Sequence, residues 1–228
     1  MINMINDRVI AIIGGTGDQG FGLALRWIKA GENIIIGSRV KEKAEAAVER
    51  LETILGAQCN AEGLENREAV SKADIVVLTV PFNGLFDILK SIKEFLRQES
   101  ILIDVTVPLA STIGGKPTQT IIPWHGSVSK MIAEMLPNVK VVSAFKEISA
   151  EALQDIQSPI ESDTIVCSDD DDAKRVVIKL AEKIPNIRGI DGGGLENSRI
   201  SEYLTAFLIG VNIRYGVKKA GIRITQLK

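Results

Sequence analysis

Residues 12–20 read IIGGTGDQG, and the fold is decided there. The isoleucines close a short β-branched run, RVIAII (8–13), which the glycines stop. Helix-period sequence follows at once, FGLALRWIKAG (21–31), and ends on Gly31 as a C-cap signal. A strand, a Gly15-x-Gly17-x-x-Gly20 loop and a helix open a nucleotide-binding βαβ unit. The glycines give a tight turn, a close backbone approach to a pyrophosphate and close packing of helix on strand. The helix N-terminus then faces the phosphates. A purely structural glycine turn is the competing reading.

The second strand, NIIIGS (33–38), runs into Arg39. An NAD site is expected to carry a carboxylate here, about 20 residues past the glycines, to hold the ribose 2′-hydroxyl. Ser38 and Arg39 stand in its place. A carboxylate would repel a 2′-phosphate, whereas a hydroxyl and a guanidinium fork bind one. Lys43 lies one helical turn further on and can point back. The expected cofactor is NADP. The bland alternative makes Arg39 a solvated loop cation.

The alternation continues. A helix is expected over 41–56, a strand within 57–64, a short helix over 66–73 and a buried strand DIVVLTVP (74–81). Helix 83–96, strand SILIDVTVP (100–108), a serine-capped helix over 127–136 and strand NVKVVSAF (138–145) follow. Repeated βα units imply a Rossmann-type doubly wound parallel sheet. A boundary is expected near 150, dividing residues 1–150, the NADP-binding domain, from a smaller α/β domain, 151–228. That part shows strand DTIVCS (163–168), a helix over 171–184 striped by Val176, Val177, Leu180, Ala181 and Ile184, and a short strand IRGID (187–191). The glycines at 114–115 and 192–194 read as ordered turns. In the last long helix, from Asn197, one face carries Ile200, Tyr203, Leu204, Phe207, Leu208 and Val211. Such a face must be covered by this chain or by a second copy, so a homo-oligomer built on dimers is expected.

The totals exclude several classes. With 228 residues and net charge −2, a broad nucleic-acid surface is not expected. Two cysteines, Cys59 and Cys167, make neither a disulfide scaffold nor a zinc site, and a single histidine rules out a His-rich metal centre. No leader pattern is read in MINMINDRVI, and no apolar run approaches the roughly 20 residues of a membrane span. A cytoplasmic protein with no bound metal is expected.

Pro81 and Pro108 end strands at the carboxyl edge of the sheet, where ligands bind, so TVPFNG and DVTVPL are expected to flank the nicotinamide. His125, in PWHGS, shows no paired acid or nucleophile and reads as a loop or capping residue. The acidic run SDDDDAK (168–174) reads as an N-cap and first helical turn. Cys167 reads as core.

Taken in order, GGTGDQGFGLALR (14–26), GSR…K (37–43), DIVVLTVP (74–81), DVTVPL (104–109), SAF…ISA (143–150), GGLENSR (193–199) and AGIRIT (220–225) resemble the F420H₂:NADP oxidoreductase family, methanogen type. The first block is common to many reductases; the C-terminal pair is far more specific. The resemblance implies reversible hydride exchange between C5 of the deazaflavin coenzyme F420 and C4 of the nicotinamide. It implies that Thr16, Gly17, Asp18 and Gln19 meet the phosphates, beside Gly15, and that Ser38, Arg39 and Lys43 meet the 2′-phosphate. It implies that Val80, Phe82, Gly84, Val107 and Ala150 border the nicotinamide, with the deazaflavin over it near 146–150, 193–197 and Ala220, including Lys146 and Asn197. Position 146 departs from the histidine or asparagine of the family pattern, and Lys146 is expected to meet the anionic tail of F420. Arg214, Lys218, Lys219 and Arg223 are expected to gather that tail as well.

Direct transfer between two carriers needs positioning but no nucleophile, metal or catalytic acid, which suits this residue inventory. Two other readings stand beside it. One is an NADP-dependent reductase of another small acceptor, a carbonyl, ferric or flavin compound, with Lys146 as the acid for a carbonyl. The other is a non-catalytic NADP-binding sensor.

Overall fold

A computed structural model describes residues 8–227. Residues 1–7, most of the opening read for a leader, lie outside them. Six parallel strands form one sheet in the order β3-β2-β1-β4-β5-β6. They are β1 (Val9–Ile13), β2 (Asn33–Ser38), β3 (Ala61–Glu65), β4 (Ile75–Leu78), β5 (Ile101–Asp104) and β6 (Lys140–Ser143). Chain order runs outward from β1 on one side and jumps to β4 on the other. Connections therefore diverge over the carboxyl ends of β1 and β4, which is where such sheets bind ligands.

Helices cover both faces because every central strand is apolar on both. Ile10 and Ile12 pack toward α1 (Asp18–Lys29), α2 (Lys41–Leu55) and α7 (Asp171–Glu182), in one core with Leu23, Trp27, Leu51, Val177 and Leu180. Ala11 and Ile13 pack toward α3 (Asn66–Lys72), α4 (Phe82–Ile92) and α5 (Val128–Met135), with Leu85, Leu89, Met131 and Ile132. The expected caps are present: Gly56 follows α2 with φ of 72°, Ser127 accepts from the Lys130 amide, and Asp170 accepts from the Ala173 amide at 2.8 Å. The acidic run is thus a helix start.

A second, two-stranded parallel sheet joins β7 (Ser162–Val166) to β8 (Ile187–Asp191). A main-chain bridge between Ser143 and Cys167 connects it to β6. Cys167 is fully buried, and burial pushes its thiol up to about 12.

Helix α6 (Ala150–Gln154) was not expected from the sequence. Five residues carry too little periodicity to read; long-range contacts hold it. Arg26 on α1 donates to the carbonyls of Leu153 (2.8 Å), Ala152 (2.7 Å), Asp155 (2.5 Å) and Ser158 (3.0 Å). A Cβ on Gly22 would lie 2.6 Å from that of Leu153, so only glycine allows the approach.

The long helix α8 (Ser198–Tyr215) also departs from expectation. Its small and polar side faces inward, with Ser198, Ser201, Glu202, Ala206, Leu208 and Gly210 buried. Of the expected apolar stripe only Leu208 is buried, whereas Ile200, Tyr203 and Phe207 are exposed.

Past α8 the chain runs beside β7. The Asp163 amide donates to the Ile222 carbonyl at 2.8 Å. Asp163, fully buried, accepts two bonds of 2.7 Å from Arg188, one of 2.9 Å from Arg223 and one of 2.6 Å from the Ile224 amide. A Cβ on Gly221 would lie 2.6 Å from Ser162 Oγ. The AGIRIT stretch is therefore explained structurally as a segment clamped to an edge strand.

Burial alone would raise the Asp163 pKa, but the Arg188, Ile224 and Arg223 bonds together lower it to about 2. Its contribution is complete above the unfolded value near 3.9 and is lost as pH falls through about 2. Asp163→Asn should cost about 2 kcal/mol, since charge-assisted bonds are replaced by weaker ones. The variant should also expose the 216–227 segment to limited proteolysis at neutral pH. A cleavage pattern and stability equal to wild type would refute the clamp.

Candidate functional site

The loop between β1 and α1 divides its labour among glycines. A Cβ on Gly15 would lie 2.9 Å from the Ile12 carbonyl, and one on Gly20 2.5 Å from Thr79 Oγ1. These two allow close packing. At Gly17 the nearest atom would be 3.4 Å away, and Thr16, Gly17 and Asp18 are exposed. Gly17 starts α1 with no side-chain cap. The first amide to find a helical carbonyl is that of Phe21, on Gly17 at 2.8 Å, so the amides of Asp18, Gln19 and Gly20 have no helical partner. A helix beginning in this way offers donors and a positive dipole to an anion.

Gln19 differs from expectation in one respect. Its side-chain amide donates to the carbonyls of Phe145 and Ile148, both at 3.2 Å, so only its backbone amide is available to a phosphate. The bond ties the glycine loop to the 145–150 segment.

At the end of β2, Ser38 Oγ accepts from the Val40 amide at 3.3 Å, which leaves its proton free to donate. Arg39 and Lys43 are exposed, and among the described residues neither forms an ion pair. Neighbouring Lys41 is paired with Glu45. Two unpaired cations and a hydroxyl beside the start of α2 suit a phosphate monoester.

Beyond β4 and β5, Val80, Phe82 and Val107 are half-buried at the carboxyl edge. A Cβ on Gly14 would lie 3.0 Å from Val80 Cγ1, so Val80 closes on the glycine loop. A Cβ on Gly84 would meet nothing within 4 Å, which is space a ligand can use. On the far side Ala150 opens α6, and Ser149 Oγ donates to the Lys218 carbonyl at 2.8 Å, two residues before half-buried Ala220. Asn197 is committed locally, its side-chain amide donating to the Gly192 carbonyl at 2.8 Å.

Two expectations about charge are corrected. Lys146 does not reach outward to an anionic tail. Its side chain is fully buried, with Nζ 2.6 Å from Asp104 Oδ2, 2.5 Å from the Thr106 carbonyl and 3.6 Å from Glu202 Oε1. Lysine snorkels outward where it can; here two buried carboxylates hold it in. The C-terminal cations are also mostly engaged. Lys218 pairs with Glu151 at 2.8 Å, Lys219 with Asp155 at 2.6 Å and Arg223 with Asp163. Among the described residues, Arg214 alone of the four has no such partner.

His125 has an acid after all, Glu134, with Nε2 3.2 Å from Oε2. The pair lies between the loop before α5 and α5 itself.

Two buried carboxyls, Glu147 and Glu202, carry no local signal in the sequence. Each is named only by its long-range surroundings. Glu202 accepts from the Val128 amide at 2.9 Å. Burial pushes its pKa up to about 7, against the pull of Lys146. Glu147 accepts from the Ile165 amide, while its second oxygen is buried without a partner among the described residues. Burial raises it to about 7 as well.

A carboxyl raised from 4.5 to about 7 binds more protons folded than unfolded. Stability therefore falls as pH rises from about 4.5 to about 7 and levels off above. Glu147→Gln keeps the acceptor for Ile165 and removes the titration. Urea unfolding at pH 5 and pH 8 should show the variant gaining on wild type, by up to about 3 kcal/mol, at the higher pH. A difference that does not move with pH would contradict this environment for Glu147.

Comparison with known proteins bears on the whole chain. The profile described as "NADP oxidoreductase coenzyme F420-dependent" matches residues 9–108. An F420-dependent NADP reductase of Methanocaldococcus jannaschii is 48% identical over 222 residues, covering 96% of this chain and 99% of that protein. One of Methanothermobacter thermautotrophicus is 48% identical over 221 residues, covering 96% and 95%. A crystal structure from Arthrobacter sp. FB24, described as a candidate F420-dependent NADP-reductase, has a TM-score of 0.81 at 21% identity. It covers 96% of this chain and 99% of that one, and at that identity it speaks for the fold alone.

Proposed function

This chain belongs to the family of F420-dependent NADP reductases, and from that premise we propose how its residues carry out hydride transfer. It is an oxidoreductase whose cosubstrates are NADP(H) and coenzyme F420. The observation that carries the cofactor reading is the pair of cations, Arg39 and Lys43, unpaired among the described residues and beside Ser38 where a ribose-binding acid would stand.

In this reading the Gly15–Gln19 loop cradles the pyrophosphate: the amides of Thr16, Asp18 and Gln19 donate to it, Gly15 and Gly17, whose amides are held by the Ile12 and Gly14 carbonyls, leave it room, and Ser38, Arg39 and Lys43 bind the 2′-phosphate. Val80, Phe82, Gly84, Val107 and Ala150 border the nicotinamide. The deazaflavin stacks over it, bounded by the half-buried Ser149 and Ala150, the 193–197 turn and Ala220. Hydride passes directly between nicotinamide C4 and deazaflavin C5. The chain's task is to hold the two carbons roughly 3–3.5 Å apart and to exclude water. No side chain is required as acid or nucleophile. Lys146, the acid that a carbonyl reductase would use, is fully buried in an ion cluster, which weighs against that alternative.

Residues 1–150 serve as the NADP-binding domain, and 151–228 close the F420 side. The exposed Ile200, Tyr203 and Phe207 of α8 support burial against a second copy, because its small, polar side is already used inward. Light scattering at micromolar concentration should give at least a dimer; a monomer would refute that assembly. No helix among the described residues is long and apolar enough to cross a membrane, and we place the enzyme in the cytoplasm.

Mixing the protein with NADPH and oxidised F420 should bleach the deazaflavin absorbance. Binding of NADPH without bleaching would favour the sensor reading. Arg39→Ala should raise the KM for NADP by about 10- to 100-fold, the equivalent of losing roughly 1.5–3 kcal/mol. Kinetics with NAD should barely change. An unaltered NADP/NAD preference in the variant would remove Arg39 from the phosphate site.

A further inference from the structure

The regular pairing of β4 with β5 stops at Leu78 and Asp104. The residues proposed to border the nicotinamide, Val80 and Val107, lie beyond it. One further main-chain bond follows, Val105 to Leu78 at 3.1 Å. After that, Thr106 is held by three atoms. Its amide donates to Asp104 Oδ1 at 2.9 Å, its carbonyl accepts from Lys146 Nζ at 2.5 Å, and its hydroxyl donates to the Val80 carbonyl at 3.2 Å. We infer that Lys146 is a positioning residue for hydride transfer, acting through Thr106 to fix the ends of β4 and β5 against which the nicotinamide is seated. The inference rests on the site proposed above.

Everything around Lys146 is arranged to hold it still. Asp104 takes its ammonium at 2.6 Å, and the same carboxylate oxygen accepts from Ser129 Oγ at 2.6 Å. Glu202 on α8 faces it and accepts from the Val128 amide, so α5 and α8 are joined to the cluster. The preceding residue, Phe145, has φ of 59°, a left-handed conformation that a bulky residue rarely adopts. Its amide donates to Thr164 Oγ1 at 2.7 Å, its carbonyl takes the Gln19 bond, and its ring meets Trp27 at 5.4 Å. Backbone strain of this kind persists where the surroundings over-determine it, and it collects at functional sites. Stability alone is a poor reason for the cluster, since buried ion pairs are commonly no better than apolar side chains of similar volume. What the lysine supplies is a fixed donor to a carbonyl outside the ladder.

The test separates position from binding and from folding. Single-turnover reduction of F420 by NADPH should slow by about 10- to 100-fold in Lys146→Met combined with Asp104→Asn, which removes the close pair together. The dissociation constant for NADPH, set mainly at the phosphate end, should change by less than about threefold. Thr106→Val removes only the link to Val80 and leaves the charges in place. It should slow the hydride step by at least about fivefold with a normal melting temperature, and Thr106→Ser should restore it. If wild type turns over and Thr106→Val matches it within twofold, the positioning role is overturned while the functional reading stands. If wild type binds NADPH but never reduces F420, both fall.

Discussion

An uncapped helix start over the carboxyl ends of two paired strands, where the chain connections diverge, governs this molecule. The strand order β3-β2-β1-β4-β5-β6 sends the chain away from β1 in both directions, leaving an opening above β1 and β4. Into it α1 presents amides that nothing in its own helix satisfies. Buried donors without partners are costly, so such an arrangement persists at the surface and takes an anion. The remaining features answer that choice. Gly15 and Gly20 let α1 come close enough, Gly17 leaves room, and the exposed Arg39 and Lys43 extend the positive region past the end of β2.

The far wall of the opening is made by chain that crosses it. Gln19 reaches Phe145 and Ile148, Ser149 reaches Lys218, and Asp163 holds the tail through Arg188 and Arg223. Helix α8 brings Glu202 down to Lys146. These are side-chain bonds between residues tens to more than a hundred positions apart. They give the C-terminal part a defined place relative to the sheet while leaving the outer side of α8 free to meet another molecule.

Local pattern and long-range pairing explain what was legible in the sequence. The isoleucine runs, the glycine loop and the SR in place of an acid are local signals. They lead to the sheet, the helix caps and NADP as cosubstrate, and the resemblance of the whole chain agrees with its relatives. Lys146 and the C-terminal cations were misjudged for one reason: a charge in sequence looks available until its partner is known. Asp104 lies 42 residues from Lys146, and Asp155 lies 64 from Lys219. Five-residue α6 was missed because Arg26, more than 120 residues earlier, holds its carbonyls. In α8 the apolar stripe is legible in the sequence, but its outward direction is not, because it depends on Glu202 and the serines lying inside.

In the proposed reaction hydride passes directly between two carriers held by this crevice, with no proton-exchanging group between them. It is tested most directly by reducing F420 with NADPH deuterated at the transferred C4 position, in ordinary water, and analysing the deazaflavin by mass spectrometry or NMR. Direct transfer places one deuterium per turnover at C5 of the reduced deazaflavin. Deuterium washed into solvent, with protium at C5, would contradict it.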